Sequence, residues 1–167
     1  TFLSHLTLQN KPTAFTLDGD EIYVSYGNNV VKLALSGGDE TSVRSSGHNI
    51  QALLVRDDLL ILSAERYLQV INKTTHAFVS EKEFHSLGYS PVLASGSDSL
   101  ITTAIPGWSA MIQKVDISAT GEIGEMLDNN RIHTLPLGQT LYMFPSQQRF
   151  IHESGEIFNN IDISYVG

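Results

Sequence analysis

Apolar and polar positions recur along this chain in short blocks. Ala14-Phe15-Thr16-Leu17 is followed by the polar Asp18-Gly19-Asp20 and then by Glu21-Ile22-Tyr23-Val24-Ser25. Tyr26-Gly27-Asn28-Asn29 and Val30-Val31-Lys32-Leu33 complete the block. A shift of 38 residues, Ala14 onto Ala52, lays it on a second block without a gap. That copy reads Ala52-Leu53-Leu54-Val55, Arg56-Asp57-Asp58, Leu59-Leu60-Ile61-Leu62-Ser63, Ala64-Glu65-Arg66-Tyr67 and Leu68-Gln69-Val70-Ile71. A looser third copy runs from Pro91 through Leu100-Ile101-Thr102-Thr103 and a longer loop, 104–109, to Met111–Ile117. A fourth has Ile132–Leu135, Thr140–Phe144 and Arg149–His152, with Pro145-Ser146-Gln147-Gln148 as its turn. Each copy predicts a short strand, a tight turn, an apolar strand, a polar turn and a further strand. Phe2–Leu8 and Ile161–Val166 read as strands at the two ends.

Residue types agree with that pattern. Asp18-Gly19 and Gly27-Asn28-Asn29 accept the positive φ that hairpin turns demand, and Gly121, Gly138 and Gly155 punctuate the later copies. The strand segments are rich in Val, Ile, Thr and Tyr. Val31-Lys32-Leu33 alternates, whereas Leu59–Leu62 is continuously apolar and predicts burial on both faces. One competing pattern is helical: Leu60, Ile61, Ala64, Tyr67, Leu68 and Ile71 follow helical spacing. The matching segment of the first copy, Glu21–Ala34, is broken by Gly27-Asn28-Asn29, so the strand reading is the one expected of both.

Antiparallel units of about 40 residues, fanned around an axis, define a β-propeller. The predicted class is therefore all-β and β-propeller-like with about four blades. It is either a small closed ring or a fragment of a larger propeller. The blade copies fall at about 12–48, 50–88, 91–128 and 131–167 of a single domain or segment. Tyr67–Val79 resembles the stretch of bacterial YVTN-type and quinoprotein-like propellers where a strand ends in Val-Ile-Asp/Asn-x-x-Thr, and Lys114–Gly121 repeats that shape. The chain departs from relatives of other kinds. It has no Gly-His…Trp-Asp pattern of WD40 blades, no kelch double glycine and no Tyr-Val-Thr-Asn string. The resemblance implies an architecture and leans towards a bacterial extracytoplasmic or cell-surface setting.

Charge narrows the partners. The 167 residues carry 10 Lys plus Arg against 18 Asp plus Glu, a net charge of −8, so neither nucleic acid nor anionic membrane is the expected partner. With 41% hydrophobic residues the chain has enough to build a core. No run approaches the roughly 18 apolar residues of a membrane span, and no basic start leads into a signal-like apolar segment. There is no Cys, which removes disulfides, thiolate nucleophiles and Cys-ligated metal.

Candidate chemistry is sparse. The six histidines lack metal-ligand spacing, and Asp18, Asp20 and Glu21 lack the pattern of a calcium loop and read as a solvated turn. Gly88-Tyr89-Ser90 and Ser95-Gly96-Ser97 are not a nucleophile elbow, and the acidic Asp39-Glu40 after Gly37-Gly38 would repel phosphate. No catalytic residue, metal or cofactor is expected. A propeller instead presents equivalent loops on one face. Those between the second and third strands place Asn28, Asn29, Arg66, Tyr67, Trp108, Gln147 and Gln148 on one predicted rim. An aromatic among amides and Arg suits recognition. The expected function is a non-catalytic module or scaffold that binds a protein or glycan within a larger assembly, with the remaining blades of the same propeller as further partners. The alternatives are a hydrolase or lyase whose site is shared with other blades, and a structural segment completing another chain's propeller.

Overall fold

The computed structural model describes residues 8–85, 87, 91–94, 98–103, 112–128, 140–144, 146 and 148–166. Among these residues four sheets form and no helix does. The first joins β1 (Ala14–Asp18), β2 (Glu21–Tyr26), β3 (Asn29–Ala34) and β4 (Thr41–Ser45). The second joins β5 (Ile50–Arg56), β6 (Leu59–Ala64), β7 (Tyr67–Asn72) and β8 (Phe78–Glu83). The third joins β9 (Val92–Ala94), β10 (Ser99–Thr103), β11 (Ile112–Ile117) and β12 (Ile123–Asp128), and the fourth β13 (Leu141–Met143), β14 (Arg149–His152) and β15 (Ile157–Asn159). Each is an antiparallel meander. Leu59–Asn72 is the hairpin β6–β7, so the strand reading holds over the helical one.

Local chemistry sets the hairpins. Pairing of Asp18 with Glu21, Tyr26 with Asn29 and Arg56 with Leu59 leaves two-residue loops. In each, the first loop residue is left-handed: Gly19 (φ 59°), Gly27 (φ 66°) and Asp57 (φ 49°). Such loops match the natural twist of paired strands. A repeated backbone bond then closes each unit at one end. Leu35 N donates to Asp20 O at 2.8 Å, Lys73 N to Asp58 O at 2.9 Å and Glu153 N to Thr140 O at 3.1 Å. At the opposite end Ser46 N donates to Asn28 O, Phe84 N to Arg66 O and Asn160 N to Gln148 O. The first two bonds at each end are related by the same 38-residue shift read in the sequence, Asp20 to Asp58 and Asn28 to Arg66.

The core lies between sheets. Every residue of β6 is buried. Its alternate side chains face opposite neighbours: Leu60 and Leu62 pack with Tyr23, Val30 and Val43 of the first sheet, Leu59 and Ile61 with Leu100, Val115 and Ile117 of the third. Ile101 and Ile112 of the third sheet pack in turn with Leu141, Phe150 and Phe158 of the fourth. Strands β1 and β5, β5 and β9, and β9 and β13 pack side by side, so the sheets follow one another along an arc, and among the described residues they are not closed into a ring. Polar ties cross the joints as well. Arg56 Nη2 donates to the carbonyls of Ile117 and Ser118 at 2.7 and 2.6 Å, and Lys73 Nζ lies 2.7 Å from Asp18 Oδ2.

Two expectations need revision. Each predicted copy had three strands, whereas the first three sheets carry a fourth strand at the outer edge: β4, β8 and β12. The predicted strand Ile161–Val166 is mostly a turn. Only its end pairs with β15, through Asn159 N to Ser164 O, Val166 N to Ile157 O and a Phe158–Tyr165 bridge. The turn brings Ile163 into the core, 3% exposed, with a left-handed backbone (φ 56°) that β-branched residues rarely adopt.

Two measurements probe these joints. A Cβ on Gly121 (φ +89°) would lie 2.8 Å from Val79 Cγ1 and 3.0 Å from Val70 Cγ1. Gly121→Ala therefore combines overpacking with a strained backbone and should cost about 2–5 kcal/mol in urea unfolding. Gly19→Ala, with open space around the added methyl, should cost only about 1–2 kcal/mol. Burial, then the nearby Glu21 and Asp18, pushes the Tyr23 phenol from 10.0 up to about 12. The fold thus holds this proton longer than the unfolded chain does. Its contribution is complete below pH 10 and is lost as pH rises towards 12. Thermal melts should fall more steeply over that window for the wild type than for Tyr23→Phe, and equal slopes would contradict this assignment.

Candidate functional site

Three segments meet at one end of the first two sheets: the β2–β3 turn, the connection between β4 and β5, and the β6–β7 turn. The connection is held at both its ends, because Ser46 N donates to Asn28 O at 2.8 Å and Ile50 N to Gly27 O at 2.9 Å. Inside it the Ser46 hydroxyl donates to His48 O at 2.7 Å and accepts from His48 N at 3.0 Å. These bonds fix the backbone that carries His48. Its imidazole stacks on the Tyr67 ring, with centroids 3.7 Å apart and planes 10° from parallel.

Around this ring pair lies a cleft of about 300 Å³, lined by the connection, by Gln51 and by Ala64 to Tyr67. Its charges are mixed. Glu65 and Arg66 form the β6–β7 turn, and His48 Nε2 lies 3.7 Å from Glu81 Oε2, which also accepts from Gln69 Nε2 at 2.8 Å. Partial burial, followed by the charge and hydrogen bond of Glu83, raises the Tyr67 phenol above its ordinary pKa. That phenol is therefore a neutral hydroxyl at physiological pH. Below, the buried Gln51 Oε1 has no hydrogen-bond partner, which costs about 1–3 kcal/mol for such an acceptor.

The residues predicted for the rim fall as follows. Asn28 and Arg66 close equivalent turns, each accepting through its carbonyl from the residue after the outer strand, and both are exposed. Asn29 and Tyr67 begin β3 and β7; Asn29 is exposed and Tyr67 half-buried. The structure brings Asn28, Arg66 and Tyr67 to the same connection. Gln148 closes the corresponding turn of the fourth sheet, is exposed, and does not line the cleft. Trp108 and Gln147 lie outside the described residues. His48, Gln51 and Glu81 were not anticipated. His48 belongs to a connection between units, where the repeat pattern carries no information.

Other polar clusters are held by their own counter-charges. A hollow of about 530 Å³ is lined by Asp98, Asp116 and Glu122. Arg56 lies 3.6 Å from Asp98 and Lys114 3.7 Å from Asp116. In the Asp18–Glu21 turn, Glu21 pairs with Lys32 at 3.0 Å. Among the described residues no three His, Asp or Glu side chains are grouped to hold a metal.

No family model matches the chain, and no curated protein does. Solved structures do. The computationally designed Ika4 protein is similar over 97% of both chains, with 14% identity and a TM-score of 0.64. The WD40 β-propeller domain of Doa1 shares 11% identity, with a TM-score of 0.66 over 96% of this chain and 55% of that one. Hydrazine synthase of Kuenenia stuttgartiensis shares 12% identity, with a TM-score of 0.72 over 94% of this chain and 55% of that one. The chain thus spans about half the length of the latter two. At these identities the likeness is one of fold. With the meandering sheets, it makes this a propeller-type chain. No match to YVTN-type repeats accompanies it.

The ring pair predicts a spectroscopic signature. The His48 ring protons should resonate upfield in NMR through the current of the Tyr67 ring, and Tyr67→Leu should return them to ordinary positions. Unchanged shifts would mean that the stack is absent in solution.

Proposed function

We propose that this chain is a non-catalytic β-propeller module that binds a polar segment of a partner protein in the cleft between its first two sheets. The observation that carries this reading is the His48–Tyr67 stack set among Arg66, Glu65 and Asn49 on a backbone pinned at both ends. Tyr and Arg supply much of the energy at protein interfaces, and Tyr beside Gly, Ser and Asn makes an adaptable contact surface with little entropy to lose. Opposite charges at the mouth favour a ligand that carries both signs, as a peptide does. The exposed Asn28, Asn29 and Gln148 extend the surface along the rim in this reading. A glycan is the second ligand class, through the same amides and aromatic rings.

A peptide-display library and a glycan array, each presented to the full chain, test the proposal together. Ligands selected on the wild type should bind Arg66→Ala and Tyr67→Ala about tenfold more weakly, a change of about 1.4 kcal/mol, while both variants melt close to the wild type. Ligands indifferent to both substitutions would refute the cleft as the binding site. Selection of glycans alone would replace the protein ligand with a sugar.

A further inference from the structure

The 38-residue repeat allows the same position to be compared in two surroundings. Leu53 pairs with Leu62 and Val55 with Leu60 in the second sheet, just as Phe15 pairs with Val24 and Leu17 with Ile22 in the first. Leu53, covered by the first sheet, is 3% exposed; Phe15, at the equivalent position, is 64% exposed and Leu17 56%. Further out, Ile22, Val24 and Leu33 correspond to Leu60, Leu62 and Ile71, and are already buried with Leu8 and Tyr26 against them. The bare part of the first sheet is therefore the inner strand that, one unit later, is sealed by a neighbouring sheet. At the other end of the arc, Tyr142, Ile151 and Ile157 form a row across the fourth sheet. It lies on the face opposite Phe150 and Phe158, and Tyr142 is 58% exposed.

We propose that a second copy of this chain covers these faces: the fourth sheet of each copy packs on the first sheet of the other, and two copies close one ring. Three observations select this occupant. The first sheet repeats the apolar positions that a preceding sheet covers elsewhere in the same chain, so its complement is another sheet of this kind. One chain supplies both halves of the joint, which makes the contact head-to-tail, and such contacts close into rings when the rotation allows. The chains of Doa1 and hydrazine synthase, of which this chain spans 55% each, have nearly as much length again beyond the part it matches. Two copies would bring twice four sheets, within the size range of propellers. Phe15 would then be buried as Leu53 is and Leu17 half-buried as Val55 is, and the ring would present two copies of the His48–Tyr67 cleft.

Light scattering coupled to size exclusion on the full chain tests this. The expected mass is twice 18.3 kDa, with a melting temperature that rises with protein concentration. Phe15→Asp and Leu17→Lys on one face, and Tyr142→Asp on the other, should each give a monomer with an unchanged β-type circular dichroism spectrum. These side chains are exposed in the single chain, so the variants are expected to fold. Because the chain lacks Cys, Leu17→Cys with Tyr142→Cys adds a second readout: oxidation should link two chains and not one chain to itself. A wild-type monomer, a cross-link confined to one chain, an open series of oligomers, or a dimer untouched by all three substitutions would each overturn the proposal.

Discussion

Burial of both faces of a middle strand is the constraint on which this structure rests. In β6 all six side chains are withdrawn from water, three towards each neighbouring sheet. A four-stranded meander has one hydrophobic core only if it is covered on one side; covered on both, it makes its neighbours' stability part of its own. Stability in such arrays is roughly a sum of units and nearest-neighbour joints. The second sheet enjoys two such joints, with the Arg56 and Lys73 ties added, whereas the outermost sheets have one each within the chain.

The same arrangement explains where the candidate site sits. Sheets that pack face to face bring the loops at each end into register without any loop-specific design. The cleft forms where a connection between units crosses a hairpin turn of the next unit. Its backbone bonds, Ser46 to Asn28 and Phe84 to Arg66, have a counterpart in the fourth unit, Asn160 to Gln148, so the loops carrying His48 and Arg66 are as firmly placed as the scaffold. Side chains there are free to differ between units. Asn28, Arg66 and Gln148 share a backbone role and nothing else.

Much of the fold was legible because the physical code for it is local. Asp18-Gly19 and Gly27-Asn28 name their turns, and the continuous apolar run from Leu59 announces a strand covered twice. The helical spacing of Leu60 to Ile71 was outweighed by its counterpart Glu21–Ala34, and the structure agrees. The outer strands were not legible. Thr41–Ser45 and Phe78–Glu83 are largely polar, and their pairing depends on an edge that only the other three strands create. Ile161–Val166 misled for the opposite reason: an alternation of apolar and polar residues that looks like a strand serves instead to carry Ile163 inwards. Of the site, Arg66 and Tyr67 could be placed by repeat position. His48 and Glu81 could not, since a stack between a connection and a strand has no spacing in the sequence.

Ile163 has one more consequence. An isoleucine in the left-handed region stores roughly 1–2 kcal/mol of backbone strain, which the packing of its side chain with Ile101, Ile112, Phe150 and Phe158 helps to hold. The segment behind it, with its few bonds to β15, is in effect a sprung latch. Anything that loosens the joint between the third and fourth sheets lets the side chain swing out and the backbone relax together, so this end of the molecule should detach abruptly and not fray by degrees.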